Sequence, residues 1–182
     1  VFNARSHAGN FDYDELREAL RLAHILQVGI YVTVNILVGD RESKALVEHL
    51  RELECIGVDG IIVQDLGVAR IARQVAPTLE LHGSTQMTAT NLETVQFLER
   101  LGFTRVVLSR ELSLDEIRHI CKHAKAEIEV FIHGALCISY SGQCLMSSFI
   151  GGRSGNRGSC AQPCRLPYQL VTLDGKQITH DK

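Results

Sequence analysis

The sequence predicts an α/β fold: a parallel β/α (TIM-type) barrel, incomplete over this chain, with a cysteine-containing loop and a small β extension at its C-terminal end. Three observations predict it. Short apolar, β-branched runs recur along the chain, as expected of strands buried in a parallel sheet. Helical patterns with recognisable starts and stops separate them. The runs follow one another at roughly 20–30 residues, the length of a βα unit.

Each element has its own signal. "VFNAR" (Val1–Arg5) reads as the end of an earlier strand. Asp12 with Glu15 forms the first capping box and starts a helix. "GIYVTVNIL" (Gly29–Leu37) is the first full strand run, with its strand expected near 31–36. "ALVEHLRELECIGVDG" follows, with Leu46, Leu50 and Leu53 on one helical face and Gly57 as its stop. "GIIVQD" (Gly60–Asp65) and "LELHGS" (Leu79–Ser84) predict strands near 60–65 and 80–84. Thr90 with Glu93 reads as a second capping box, ahead of "TRVVLS" (Thr104–Ser109), with its strand near 105–109. Ser113 with Glu116 is the third box, ahead of "EIEVFIHG" (Glu127–Gly134), with its strand near 128–133.

A complete barrel takes eight strands and ~250 residues. With five strand runs in 182 residues, the chain reads as most of a barrel without its first and last units. An open doubly wound sheet is the alternative, but its glycine-rich phosphate loop after an early strand is not visible. The organisation expected is a core over residues 1–136 and a Cys/Gly/Arg-rich segment with a β hairpin over 137–182. In that segment "GGRSGNRGS" (Gly151–Ser159) is loop-forming, and "YQLVTLDGKQIT" alternates around Asp174–Gly175, a hairpin signal.

Composition is that of a globular protein, 45% hydrophobic and 22% charged. No apolar run reaches the ~18 residues of a membrane span, and no N-terminal signal pattern is visible. Net charge is −2, but its distribution is uneven. Up to Glu129, acidic residues outnumber basic ones, 19 to 14; between Glu129 and Asp174 there is no acidic residue, while Arg153, Arg157 and Arg165 fall inside. That locally positive island suits anions, or the charge of thiolates.

Four cysteines lie in it: Cys137, Cys144, Cys160 and Cys164, separated by six, fifteen and three residues. An enzyme-like α/β chain of this size reads as cytoplasmic, where disulfides are rare. Their Gly/Ser-rich surroundings argue against buried, inert thiols, a reading that suits Cys55 and Cys121 on helical patterns. Metal or cluster ligation is favoured. Zinc sites tend to carry two tight Cys pairs, and only Cys160–Cys164 fits. The wider spacing and glycine-rich loop favour an iron–sulfur cluster, with zinc as runner-up.

The cysteine segment, "EVFIHGALCISYSGQCLMSS" followed by "GGRSGNRGSCAQPCRLPY", resembles the signature of the peptidase U-32 family, the collagenase-like proteases. "ARSHAGNF", "IIVQD", "HGSTQM" and "LSREL" match the same family in order. The resemblance covers nearly the whole chain. It implies a β/α-barrel core, and either peptidase activity or a four-iron four-sulfur cluster in proteins that hydroxylate ribosomal or transfer RNA or act in ubiquinone synthesis. The "GNRGSCAQPCRLPY" form most resembles the branch of prephenate-dependent ribosomal RNA hydroxylation. In some relatives one ligand lies well downstream of the third cysteine, so Cys137, Cys144 and Cys160 are the firmer ligands. The fourth is Cys164 or a residue outside this chain.

Strand ends supply the other candidates, because barrel active sites gather at the C-terminal mouth. Arg110, Glu111 and His133 are the catalytic candidates, with His133 beside Cys137 as a conceivable nucleophile dyad. Arg5, Asn35, Gln64, Asp65, His82, Gln86, Arg153 and Arg157 are the substrate-binding candidates. Three functions compete: an iron–sulfur enzyme of RNA hydroxylation, a genuine protease, and an RNA-binding module whose cysteines hold a metal. The partner expected is RNA or a peptide substrate, with a small carboxylate as possible co-substrate.

Overall fold

Five short strands lie side by side in chain order: β1 (Tyr31–Val34), β2 (Gly60–Val63), β3 (Glu80–Gly83), β4 (Phe103–Val107) and β5 (Glu127–Glu129). Every neighbouring pair is parallel. The computed structural model describes residues 2–5, 8–134 and 137–178. Val1, Leu136 and Thr179, which belong to the expected first strand, region boundary and hairpin, lie outside them.

Helices α1 (Tyr13–Ile25), α2 (Ser43–Ile56), α3 (Leu66–Val75), α4 (Leu92–Arg100) and α5 (Leu114–His123) precede or join the strands. Right-handed crossovers between strands in sequential order place the joining helices on one side of the sheet. Accordingly α2 packs against α3, and α4 against α5. The caps follow the sequence at Asp12 and Ser113, where both capping boxes form. Leu46, Leu50 and Leu53 are all buried, and Gly57 ends α2 at φ +91°. The box expected at Thr90 is not made. Asn91 caps α4 instead, its side chain accepting from Thr94 N, because the helix starts one position later and Asn is a strong cap residue.

The strand register explains the two faces. Val34, Val63, Gly83, Val106 and Ile128 form one row, and Ile61 and Leu81 belong to the same face; these meet the helices in the core. The alternate row is Thr33, Ile62, His82, Arg105 and Glu127. Here the expectation of strands apolar on both faces is corrected. Arg105 Nε donates to Glu127 Oε2 at 2.8 Å, and its guanidinium lies 5.1 Å from the Tyr31 ring. The Tyr31 ring in turn packs 4.3 Å from His82, whose Nε2 is 3.2 Å from Glu80 Oε2.

Two further expectations are corrected. Among the described residues the sheet is open, with β1 and β5 at its edges, and Phe2–Arg5 is not a strand. The last strand stops at Glu129 rather than near 133: it is an edge strand, and Phe131 and Ile132, beyond it, are exposed. The remaining segment folds onto the C-terminal ends of the strands through a short helix, α6 (Met146–Gly151), and two 3-10 turns, Gly155–Arg157 and Pro163–Arg165. Around Gly175 the described residues pair antiparallel, through a Val171–Gln177 bridge with Thr172 N donating to Lys176 O and Ile178 N to Leu170 O.

Candidate functional site

All four clustered cysteines open onto one cavity of about 630 Å³ at the C-terminal ends of the strands. Ala4, Arg5, Asn35, Thr85, Gln86, Arg110 and His133 line it from the core side. Phe131, Ile132, Ile138, Tyr140, Met146 and Pro163 make the rest of the wall largely apolar. The described lining includes two guanidinium groups, one imidazole and no carboxylate. That wall favours an anion or thiolate charge and disfavours a bare cation held by oxygen.

Three bonded points shape the cysteine segment at this mouth, two tying it to the core and one acting within the segment itself. Ser141, 2% exposed, is the first. Its N–H donates to Glu111 Oε1 at 3.2 Å, its Oγ accepts from Arg110 Nε at 3.2 Å, and its carbonyl accepts from Thr88 Oγ1 at 2.7 Å. Gly142 follows at φ +79°, pressed against the Gln86 carbonyl. This fixes the stretch between Cys137 and Cys144. Buried Ser147 on α6 is the second, its Oγ accepting from Ala161 N at 2.9 Å beside Cys160. The third joins Arg157 to the loop after β1. NH1 donates to Leu37 O at 2.7 Å, and NH1 and NH2 reach Glu42 Oε2 and Oε1 at 2.8 and 2.7 Å. The Arg157 guanidinium and the Gly39 N–H hold the Glu42 carboxyl well below the usual carboxylate range, at about 2.

The sequence candidates therefore separate by place. Arg5, Asn35, Gln86, Arg110, His133 and the four cysteines meet at the cavity. Gln86 Oε1 is buried there without a hydrogen-bond partner among the described residues. Glu111 does not line the cavity; it tethers Ser141. Asp65 caps α3 through Gly67 N at 2.7 Å and also accepts from Val38 N. Gln64 is buried away from the cavity lining, its Oε1 without a partner among the described residues. His82 lies on the sheet face, 2% exposed, with burial lowering its pKa. Arg157 is engaged with Glu42, and Arg153 Nε donates to Ser159 O at 3.0 Å; neither lines the cavity. No hydrogen bond joins His133 to Cys137 among the described residues. Sequence reasoning missed Ser141, Ser147 and Asn156, although "SYSG" between two cysteines carried a turn signal.

The six cysteines are all free. Cys55 and Cys121 are exposed, correcting their reading as buried thiols: each falls off the buried stripe of its helix, beside Leu53 and Ile120 respectively. Among the described residues no three His, Cys, Asp or Glu side chains stand close enough to hold a metal ion. The four thiols thus share a cavity but not one coordination sphere. Their donor chemistry nonetheless fits a thiolate-bound centre: soft sulfur ligands, no disulfide, no competing carboxylate in the wall, and Gln162 N–H donating to Cys160 Sγ at 3.4 Å.

Comparison with known proteins gives consistent results. The sequence profile of peptidase family U32 matches residues 1–182. The "23S rRNA 5-hydroxycytidine C2501 synthase" of Escherichia coli is 43% identical over 181 residues, covering 100% of this chain and 27% of the relative. The "tRNA hydroxylation protein P1" of Bacillus subtilis is 42% identical, covering 96% of this chain and 41% of the relative. The "Uncharacterized protease MJ0090" of Methanocaldococcus jannaschii is 38% identical, covering 93% and 42%. The chain therefore spans well under half the length of these relatives. The solved structure of the U32 peptidase Mk0906 superposes with a TM-score of 0.58 at 17% identity, covering 70% of this chain and 55% of that one.

Proposed function

Because the chain belongs to peptidase family U32, we propose that it is the cysteine-bearing part of an enzyme that hydroxylates a base in ribosomal or transfer RNA. The observation that carries this reading is the meeting of four free thiols with Arg5, Arg110, His133 and Gln86 on one carboxylate-free cavity, in a chain 43% identical to an rRNA hydroxycytidine synthase. Cys137, Cys144 and Cys160 would hold an iron–sulfur cluster, with Cys164 or a residue outside this chain as fourth ligand. Bound there, the cluster supplies one-electron redox chemistry.

The chain's own residues do the rest. Arg5 and Arg110 bind the anionic part of the ligand, a phosphate or the carboxylate of a small co-substrate, by charge-assisted hydrogen bonds. Gln86 lines the same cavity beside them. Phe131 and Tyr140 supply aromatic faces against which an unstacked base can lie. His133 is placed to carry a proton at the same wall.

The parallel strands in unbroken chain order suit five consecutive units of a closed β/α-barrel, whose C-terminal mouth would be this cavity. An RNA substrate would place the protein in the cytoplasm, and no helix among the described residues is long and apolar enough to cross a membrane. Proteolysis has less support. His133 and Cys137 share the cavity, but a nucleophile and its base need a hydrogen bond that the described residues lack.

The test is nucleoside mass spectrometry of RNA from cells lacking the gene. The reading predicts loss of one base carrying an added oxygen atom, restored by the intact gene but not by one with Cys137→Ser. An unchanged nucleoside profile would overturn it.

A further inference from the structure

We propose that Arg157 and Glu42 form a latch whose task is to position Cys160, and through it the thiolate-bound centre proposed above. The inference rests on that reading of the cavity.

Arg157 lies in the glycine-rich loop three residues before Cys160, and Glu42 lies in the loop that leaves β1. The pair is bidentate, and the same guanidinium also caps the Leu37 carbonyl at 2.7 Å. Leu37 N donates to Asn156 O at 3.0 Å, so strand end and loop are joined from both sides. A planar fork on a carboxylate fixes direction as well as distance.

From this anchor the chain runs to the thiol by tight local bonds. Gly158 takes a left-handed turn at φ +76°, Ser159 N donates to Ser154 O at 2.9 Å, and Gln162 N reaches Cys160 Sγ. Gly155 packs beneath Cys160: a Cβ there would lie 3.5 Å from the cysteine Cβ. The loop is glycine-rich and needs an external fixture to hold one conformation. The latch supplies one on the side facing β1.

The pair is roughly 40% exposed, so its net contribution to global stability is small. Orientation is what it can provide. Outer-shell groups that fix the orientation of metal ligands change affinity by about 10–100-fold when removed, and the latch acts one step further out, through the backbone that carries Cys160.

The experiment uses the full-length protein reconstituted anaerobically with iron and sulfide. Arg157→Ala and Glu42→Gln are compared with the unsubstituted protein and with the exchanged pair, Glu42→Arg with Arg157→Glu. Hydrogen exchange of the metal-free protein reads the loop, and release of iron to a chelator reads the centre. In both single variants the proposal expects faster exchange at Leu37 and Gln162 and iron release at least about tenfold faster. It expects an unchanged melting temperature and partial recovery in the exchanged pair. Unchanged exchange at Gln162, or iron release at the unsubstituted rate, would overturn the latch. If the unsubstituted protein takes up no iron, the cluster reading fails instead, and hydrogen exchange at Gln162 alone decides whether the pair positions Cys160.

Discussion

Gly142 shows how narrowly the site is built at the scale of single residues. Its φ is +79°, and a Cβ there would lie 2.1 Å from the Gln86 carbonyl oxygen. Neither the backbone nor the contact admits another residue without movement. Gly142→Ala should cost more than about 1–3 kcal/mol of stability, read by thermal or urea unfolding. Ser141→Ala should cost about 1–3 kcal/mol, because Arg110 Nε and the Glu111 carboxylate lose their bonds to the buried Ser141 hydroxyl, while the backbone N–H bond to Glu111 remains. Burial lowers the His49 pKa to about 4, where the ring meets Tyr13 OH at 2.7 Å and the Phe2 ring. The folded-state value lies below the unfolded one, near 6.5, so the unfolded chain binds the proton more readily. Stability from this group is present above pH 6.5 and is lost as pH falls towards about 4. Unfolding midpoints from pH 7 to 4 should therefore fall, and His49→Phe should flatten that slope.

At the scale of elements, the buried leucines of α2 govern the fold. Leu50 is fully buried among Leu46, Leu53 and the β-strand valines, and Leu50→Ala should cost about 2–5 kcal/mol in a denaturant titration. Cys55→Ser and Cys121→Ser should change stability by less than ~0.5 kcal/mol, since both side chains are exposed. The strands and their order of appearance were legible because β-branched runs separated by capped amphipathic helices have few other solutions. The helix face of Leu46, Leu50 and Leu53 was legible for the same reason of period. What sequence could not give was anything set by a partner distant in the chain. β5 ends at Glu129 because it is an edge strand, although "VFI" continues its pattern. His82 and Asp65 look like mouth residues from their place after apolar runs; one is turned onto the sheet face and the other caps α3. Arg157 reads as a free cation in an acid-free window, because Glu42 lies 115 positions away. The Gln86, Arg110 and His133 group was legible, since each follows a strand run or its turn and the parallel sheet brings those ends together, whereas Arg5 reaches the same cavity from a segment that is not a strand.

Over the whole molecule, one sheet end collects the chemistry, and the acid-free segment folds across it. Sequential parallel strands put Asn35, Gln86, Arg110 and His133 at one end, and the bonds of Ser141 and Arg157 to the core, with Ser147 bonding inside the segment, bring the four thiols to the same cavity. The proposal that Cys137, Cys144 and Cys160 hold an iron–sulfur centre ties these features together. The most direct measurement is the iron and acid-labile sulfide content of the full-length protein after anaerobic purification and reconstitution. The expected result is stoichiometric iron and sulfide with visible absorption from thiolate-to-iron charge transfer. Both should be lost on Cys137→Ser, Cys144→Ser or Cys160→Ser and retained on Cys55→Ser and Cys121→Ser. Protein that binds no iron under these conditions, or that binds it equally well without those three cysteines, would contradict the claim.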